Sequence, residues 1–136
     1  MSKKVLLIYP SGFGSIFPEL PMSYLYLSWA LKKKGYEPQI VDIRIDNIED
    51  IDRSNYLFVG ISSMTGLMIN EALRAAKYIR SLNPHTPIVW GGIHVTLLPE
   101  QSLKNEFVDI IVRGEGEQTI QELAGAIRMQ YEFWRR

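Results

Sequence analysis

Short apolar runs alternate with longer amphipathic stretches along the chain. The first run, residues 5–9, is continuously apolar, which is typical of a parallel strand that is buried on both faces. The longer stretches carry apolar residues at helical spacing, as expected of helices that cover a sheet. We therefore predict five strands, over residues 5–9, 38–42, 57–61, 87–90 and 108–112.

Helices are predicted in the connections between these strands. The first spans residues 23–34, with Ser23 as its candidate N-cap and Gly35 after its last turn. The second spans 66–82 and the last begins near Gly116, while shorter helical segments are predicted over 48–52 and 99–105. Strands that alternate with helices predict an α/β, doubly wound, five-stranded parallel sheet. The favoured strand order is 2-1-3-4-5, the flavodoxin-like arrangement.

Four of the predicted strands end in a polar segment that contains glycine. Because parallel strands point the same way, these segments share the carboxyl edge of the sheet, where open α/β sheets bind ligands. The four segments are Pro10-Ser11-Gly12-Phe13-Gly14, Ser62-Ser63-Met64-Thr65-Gly66, Gly91-Gly92-Ile93-His94 and Arg113-Gly114-Glu115-Gly116-Glu117.

Composition excludes several classes of function for these 136 residues. Fifteen basic and fifteen acidic residues cancel, so no charge excess indicates nucleic-acid binding. The sequence has no cysteine, which excludes disulfides, zinc–thiolate sites, iron–sulfur clusters and thiol nucleophiles within it. No apolar run approaches the roughly 20 residues that span a bilayer. We expect a single cytoplasmic domain over residues 1–136.

Known phosphate-binding motifs fit the first two loops poorly. No lysine follows the glycines as a Walker A loop requires, and the third glycine of a dinucleotide fingerprint is missing. The strand ends also lack the aspartates of a phospho-receiver domain. A flavin phosphate loop stays open as an alternative, because Ser11, Gly12 and neighbouring residues offer hydroxyls and backbone amides.

The ends of strands three and four suggest a slot for a planar group. Ser63-Met64-Thr65 follows strand three, and Gly91-Gly92 follows strand four. Paired glycines let a ligand approach the backbone closely, although Gly-Gly is also common in turns and Ser or Thr in helix caps. The combination, in this strand context, favours a ligand site.

These segments resemble the cobalamin-binding domains that precede the radical S-adenosylmethionine domain of B12-dependent radical enzymes. The resemblance rests mainly on Gly91-Gly92-Ile93-His94 with Pro99-Glu100, and on Val112-Arg113-Gly114-Glu115-Gly116-Glu117. It implies a corrin ring over the strand ends and a nucleotide tail in the slot. The cofactor-binding residues that it implies are Pro10, Ser11, Gly12, Phe13, Ser62, Ser63, Met64, Thr65, Gly91, Gly92, Ile93, His94, Gly114, Glu115 and Gly116.

One departure from related cobalamin proteins is informative. Methionine synthase and the mutases carry Asp-x-His-x-x-Gly after strand one, and that histidine ligates cobalt, whereas this chain has no histidine there. The resemblance thus implies base-off cobalamin without a histidine below the cobalt. It also implies the cofactor module of a methyltransferase or cyclase, with a radical S-adenosylmethionine catalytic domain in the same chain or in a partner. A flavin or nucleotide sensing module and a cofactor-free interaction scaffold are the alternatives.

Several single residues have two readings. His94 is expected to hydrogen-bond the ligand periphery or to orient its own loop rather than to ligate cobalt, and His85 is expected in a solvated turn. Glu115 and Glu117 fit a helix N-terminus or a contact with ligand or catalytic domain. Asp42 either caps a turn or reaches the carboxyl edge. The C-terminal aromatic residues either fold back on the sheet or lead into a second domain.

Overall fold

The chain forms one parallel sheet that is covered by helices on both faces. A computed structural model describes residues 2–10, 21–53, 55–62 and 67–135, with only the backbone of Leu67, Tyr131 and 133–135. The strands are β1 (Lys4–Tyr9), β2 (Glu37–Asp42), β3 (Phe58–Ser62), β4 (Ile88–Gly91) and β5 (Ile110–Ile111). The helices are α1 (Met22–Lys33), α2 (Leu67–Leu82), α3 (Ile93–Leu97), α4 (Pro99–Leu103) and α5 (Glu117–Arg135), with a 3₁₀ turn at Ile48–Asp50.

The sheet order is β2-β1-β3-β4-β5, and all four pairings are parallel. This order confirms the predicted doubly wound, flavodoxin-like fold. The side on which successive strands are added reverses between β1 and β3, where Leu7 lies opposite Gly60 and Ile8 opposite Ile61. This switch point is the position at which open α/β sheets leave a crevice outside their strand ends.

Each face of the sheet has its own apolar core. Leu6 and Ile8 of β1 pack with residues of α2, and fully buried Trp90 of β4 lies on the same face. Val5 and Leu7 point the other way and pack with α1 and α5. This alternation within a continuously apolar strand is what burial on both faces requires. The ligand edge therefore lies between two well-filled layers.

Three details of the predicted elements are wrong. The strand β5 has two residues, fewer than predicted; just before it, the Ile88 amide donates to the Asp109 carboxylate at 2.8 Å, and the Asp109 amide donates to the Ile88 carbonyl at 3.0 Å. The segment after Gly92 forms α3, a helix that the sequence analysis did not predict. Ser23 does not cap α1, which begins at Met22 after Pro21 and has no side-chain cap bond.

Within the residues described, no helix combines the length and the apolarity needed to cross a bilayer. This agrees with the absence of long apolar runs in the sequence.

Candidate cofactor site

A cavity of about 250 Å³ lies between the sheet and helices α1 and α5, at the carboxyl ends of the strands. Leu7, Phe58 and Val89 line it from the sheet, and Leu27 and Ile120 from the two helices. Ser62, Gly91, Gly92, Gly114, Gly116 and the two glutamates Glu115 and Glu117 line it from the strand ends and the loops that follow. The site is therefore a mainly apolar cavity with polar groups near the ends of the strands.

The cavity exists because two strands lose their large side chains toward their carboxyl ends. On the α1/α5 face, β3 presents Phe58, then Gly60, then Ser62, and β4 presents Val89, then Gly91. Among the described residues, a Cβ atom on Gly91 would meet only the Val112 carbonyl oxygen, at 3.8 Å, within a 4 Å radius. No described neighbour therefore fills the space above Gly91.

Gly60 was not singled out by the sequence analysis, yet it lines the cavity. A Cβ atom at this position would lie 2.9 Å from Leu7 Cδ2, so a larger residue would push the Leu7 side chain aside. A lone glycine inside a strand is the signal that indicates such a close approach.

The structure brings six of the predicted site residues to this cavity: Ser62, Gly91, Gly92, Gly114, Glu115 and Gly116. Pro10 is buried and does not line the cavity. Ile93 is 54% exposed on α3, and His94 is half-buried beside it, and neither side chain lines the cavity. Ser11, Gly12, Phe13, Ser63, Met64 and Thr65 lie outside the described residues. Their contact with a cofactor stays a prediction.

Tyr24 of α1 joins the ends of β1 and β3, a role that no sequence signal indicated. Its hydroxyl donates a hydrogen bond to the Ile8 carbonyl and accepts one from the Ser62 amide at 2.7 Å. The ring packs edge-on against Tyr9, with centroids 5.3 Å apart. Burial raises the pKa of the Tyr24 phenol, so it stays protonated and keeps both bonds. The side chain thus fixes the wall of the cavity at the switch point.

Asp42 at the end of β2 caps a turn, the first of the two roles expected for it. Its carboxylate accepts hydrogen bonds from the Arg44 amide at 3.0 Å and from Arg44 Nη2 at 2.7 Å. The Arg44 side chain lowers the pKa of this buried carboxyl group. The guanidinium also lies 4.4 Å from the centre of the Tyr9 ring. Asp42 does not line the cavity.

The charged side chains that line the cavity are acidic. Among the described residues that line it, none is lysine, arginine or histidine, and the charged ones are Glu115 and Glu117. Glu117 lies in the first turn of α5, where a carboxylate complements the helix dipole. In the described part of the chain, no group of three or more His, Cys, Asp or Glu side chains is placed to hold a metal ion.

The two histidines lie apart from the cavity. His85 is exposed in the turn before β4, as expected. His94 Nδ1 is buried and has no hydrogen-bond partner among the described residues. Its predicted contact with the ligand periphery stays a prediction.

Comparison with known proteins identifies the family. A family model described as the B12 binding domain matches residues 16–124. The chain belongs to the B12-binding domain family. This match confirms the resemblance on which the sequence analysis relied, and with it cobalamin as the cofactor.

Individual relatives agree with this family. The chain is 35% identical over 136 residues to an anaerobic magnesium-protoporphyrin IX monomethyl ester cyclase of Rubrivivax gelatinosus, covering 91% of this chain and 24% of that protein. It is 29% identical over 138 residues to an uncharacterised methyltransferase of Pyrococcus horikoshii, covering 91% of this chain and 29% of that protein.

A solved structure shares the fold of this B12-binding domain over most of its length. It is the radical S-adenosylmethionine methyltransferase TsrM from Kitasatospora setae, with cobalamin and a 4Fe-4S cluster bound. The TM-score is 0.80 and the sequence identity is 25%, over 96% of this chain and 25% of that one. The chain therefore spans about a quarter of the length of these three proteins.

Proposed function

We propose that this domain binds base-off cobalamin with the nucleotide tail in the cavity between the sheet and helices α1 and α5. The observation that carries the proposal is the loss of side chains from the cavity floor: Gly91 at the end of β4 has open space above it among the described residues, and Gly60 within β3 lies close to the Leu7 side chain. Cobalamin ends in a dimethylbenzimidazole nucleotide, and a planar base suits a cavity whose floor has lost its side chains.

The size of the cavity is consistent with part of the cofactor only. Pockets that enclose a whole drug-sized ligand have volumes of roughly 300–1,000 Å³, and this one measures about 250 Å³. A nucleotide base with its sugar is small enough, whereas the much larger corrin ring is not. In the proposed arrangement the corrin therefore lies outside, over the strand ends, and the tail reaches inward past Gly91 and Gly114.

The charge of the cavity restricts where the phosphate of a bound nucleotide can lie. No described residue lining the cavity carries a positive charge, and Glu115 and Glu117 would repel a phosphate there. The cobalamin tail and flavin mononucleotide both carry a phosphate, so the preference for cobalamin rests on the B12-binding family match. In the proposed arrangement the uncharged base and its ribose enter the cavity, and the phosphodiester lies outside it with the corrin.

The base-off state is supported by the positions of the histidines. The segment after β1, Pro10-Ser11-Gly12-Phe13-Gly14-Ser15, contains no histidine. His85 lies in the turn before β4, at the amino edge of the sheet, and His94 does not line the cavity. Electron paramagnetic resonance of the reduced Co(II) form tests this point. We expect no nitrogen superhyperfine splitting from an axial base, and a clear splitting would refute the base-off state.

We further propose that the domain is the cofactor module of a radical S-adenosylmethionine methyltransferase or cyclase. The three relatives described above are named a methyltransferase, a cyclase and a radical S-adenosylmethionine methyltransferase, and each is about four times the length of this chain. The 136 residues contain no cysteine, so an iron–sulfur cluster would be held by other sequence. In this role the domain presents cobalamin to a separate catalytic domain and is not catalytic alone.

A reconstitution experiment tests cobalamin binding against both alternatives. The purified protein is incubated separately with hydroxocobalamin and with flavin mononucleotide, desalted, and examined by visible absorption. We expect corrin absorbance close to one equivalent and no flavin absorbance. Retained flavin without corrin would support the nucleotide-binding alternative, and retention of neither would support the interaction scaffold.

A further inference from the structure

Two loops at the edge of the cavity are joined by weak backbone pairing. One follows β4 and contains Gly92, and the other follows β5 and contains Gly114. Both glycines have positive φ angles, 93° and 72°, so each loop turns sharply there. The strands themselves pair over only two residue pairs, followed by a hydrogen bond from the Val112 amide to the Trp90 carbonyl. The separation of the loops therefore depends on further contacts.

Thr96 of α3 supplies such a contact. Its hydroxyl donates a hydrogen bond to the Gly92 carbonyl oxygen at 2.8 Å and accepts one from the Gly114 amide at 3.0 Å. A hydroxyl has one hydrogen and two lone pairs, so it satisfies both partners at once. Thr96 itself does not line the cavity.

The two bonds differ in what they contribute. A threonine that bonds the carbonyl four residues earlier is common in helices, so the bond to Gly92 alone would indicate nothing more. The bond from Gly114 spans 18 residues and is not required by the helix. Together with the bond to Gly92, it links the loop after β5 to the loop after β4 at Gly114 and Gly92, both of which line the cavity.

We infer that Thr96 is a positioning residue, which sets the separation of the Gly92 and Gly114 loops and thereby the affinity for the nucleotide tail of cobalamin. The inference rests on the proposed function, since it concerns the same cavity. Thr96 acts through the two backbone groups and makes no contact with the cofactor itself.

Matched substitutions at this position test the inference. Thr96→Val keeps the shape of the side chain and removes the hydroxyl, whereas Thr96→Ser keeps the hydroxyl. A hydrogen bond of ordinary net strength corresponds to a factor of about 2 to 10 in affinity. We expect Thr96→Val to weaken cobalamin binding by about this factor and Thr96→Ser to bind like the original protein. Thr96→Ala replaces the valine variant if the latter does not fold.

A second readout needs no cofactor. In the apo-protein, the Gly114 amide should exchange its hydrogen faster in Thr96→Val than in the original protein, and Thr96→Ser should keep the slow rate. Cobinamide, which lacks the nucleotide tail, should bind the original protein and Thr96→Val alike.

The outcomes separate this inference from the proposed function. If the original protein binds no cobalamin, the proposed function fails and the inference fails with it. If the original protein binds cobalamin and Thr96→Val binds it equally well, only the role of Thr96 is refuted. Faster Gly114 exchange with unchanged affinity would also refute it, because Thr96 would then be structural only. An equal loss of cobinamide and cobalamin affinity would show that the loops do not act on the tail.

Discussion

Filling the cavity at Gly91 separates loss of binding from loss of folding. Gly91 ends β4, its φ is not positive, and a Cβ atom there would make only an ordinary van der Waals contact. A leucine side chain at this position would point toward the α1/α5 face and occupy the space assigned to the base of the nucleotide tail. The backbone would not need to move.

Gly91→Leu should leave the apo-protein at least as stable as the original while it weakens cobalamin binding. Burying a leucine side chain gains about 1.5–3 kcal/mol, and ordering it costs about 0.5–1 kcal/mol. The apo-protein with Gly91→Leu should therefore be at least as stable as the original, by up to about 2 kcal/mol. A displaced aromatic base would lose about 3 kcal/mol of burial, which corresponds to a roughly 100-fold weaker affinity for cobalamin.

Two measurements and one control make the result decisive. Urea unfolding gives the free energy of unfolding of the apo-protein, and absorbance titration gives the dissociation constant for hydroxocobalamin. Gly125→Leu on α5 is the matched control, because it adds the same side chain at a position that does not line the cavity. A Cβ atom there would meet no atom of the described residues within 4 Å. A folded Gly91→Leu protein that binds cobalamin with the original affinity would refute the placement of the tail.

Further predictions concern the groups that hold the carboxyl edge together. Tyr24→Phe leaves the Ile8 carbonyl and the Ser62 amide without their hydroxyl partner, so urea unfolding should show that the free energy of unfolding falls by about 1–3 kcal/mol. The control Tyr26→Phe, at an exposed position, should change it by less than about 0.5 kcal/mol. Equal effects of the two substitutions would contradict the role of Tyr24 in joining β1 and β3. Asp42→Asn should cost about 1–3 kcal/mol at pH 7. Because the Arg44 side chain lowers the pKa of Asp42, the ionised carboxylate stabilises the fold above the pKa of this group in the unfolded chain and loses this effect as pH falls through the lowered value. The difference in stability between Asp42→Asn and the original protein should therefore become smaller in acid. A difference that does not depend on pH would contradict this prediction.

The strand order could be predicted because it depends on local patterns. The strands β1, β3 and β4 are mainly apolar runs, and the connections are long enough for crossover helices, so a doubly wound sheet follows. The start of β5 could not be predicted from pattern alone. There, the Asp109 carboxylate accepts a hydrogen bond from the Ile88 amide, a contact between residues 21 positions apart.

The sequence predicted where the candidate site lies but not how neighbouring residues within it differ. The sequence indicated Gly91 and Gly92 as one feature, yet Gly91 lies in a strand and Gly92 has a φ of 93°. A leucine at Gly92 would strain the backbone, so Gly91 is the clean test position. Tyr24 and Thr96 act through backbone groups that are distant in sequence, and such contacts appear only once the fold brings the loops together.

The central claim is that the cavity between the sheet and helices α1 and α5 holds the tail of cobalamin. Amide chemical shifts of the isotope-labelled protein, recorded while diamagnetic hydroxocobalamin is added, test it most directly. The account predicts the largest changes at Ser62, Gly91 and Gly114, and much smaller changes at these amides with cobinamide. Changes confined to the amino edge of the sheet, near Asn55 before β3 and Asn83 after α2, would contradict this placement of the tail. Identical changes with both ligands would also contradict it.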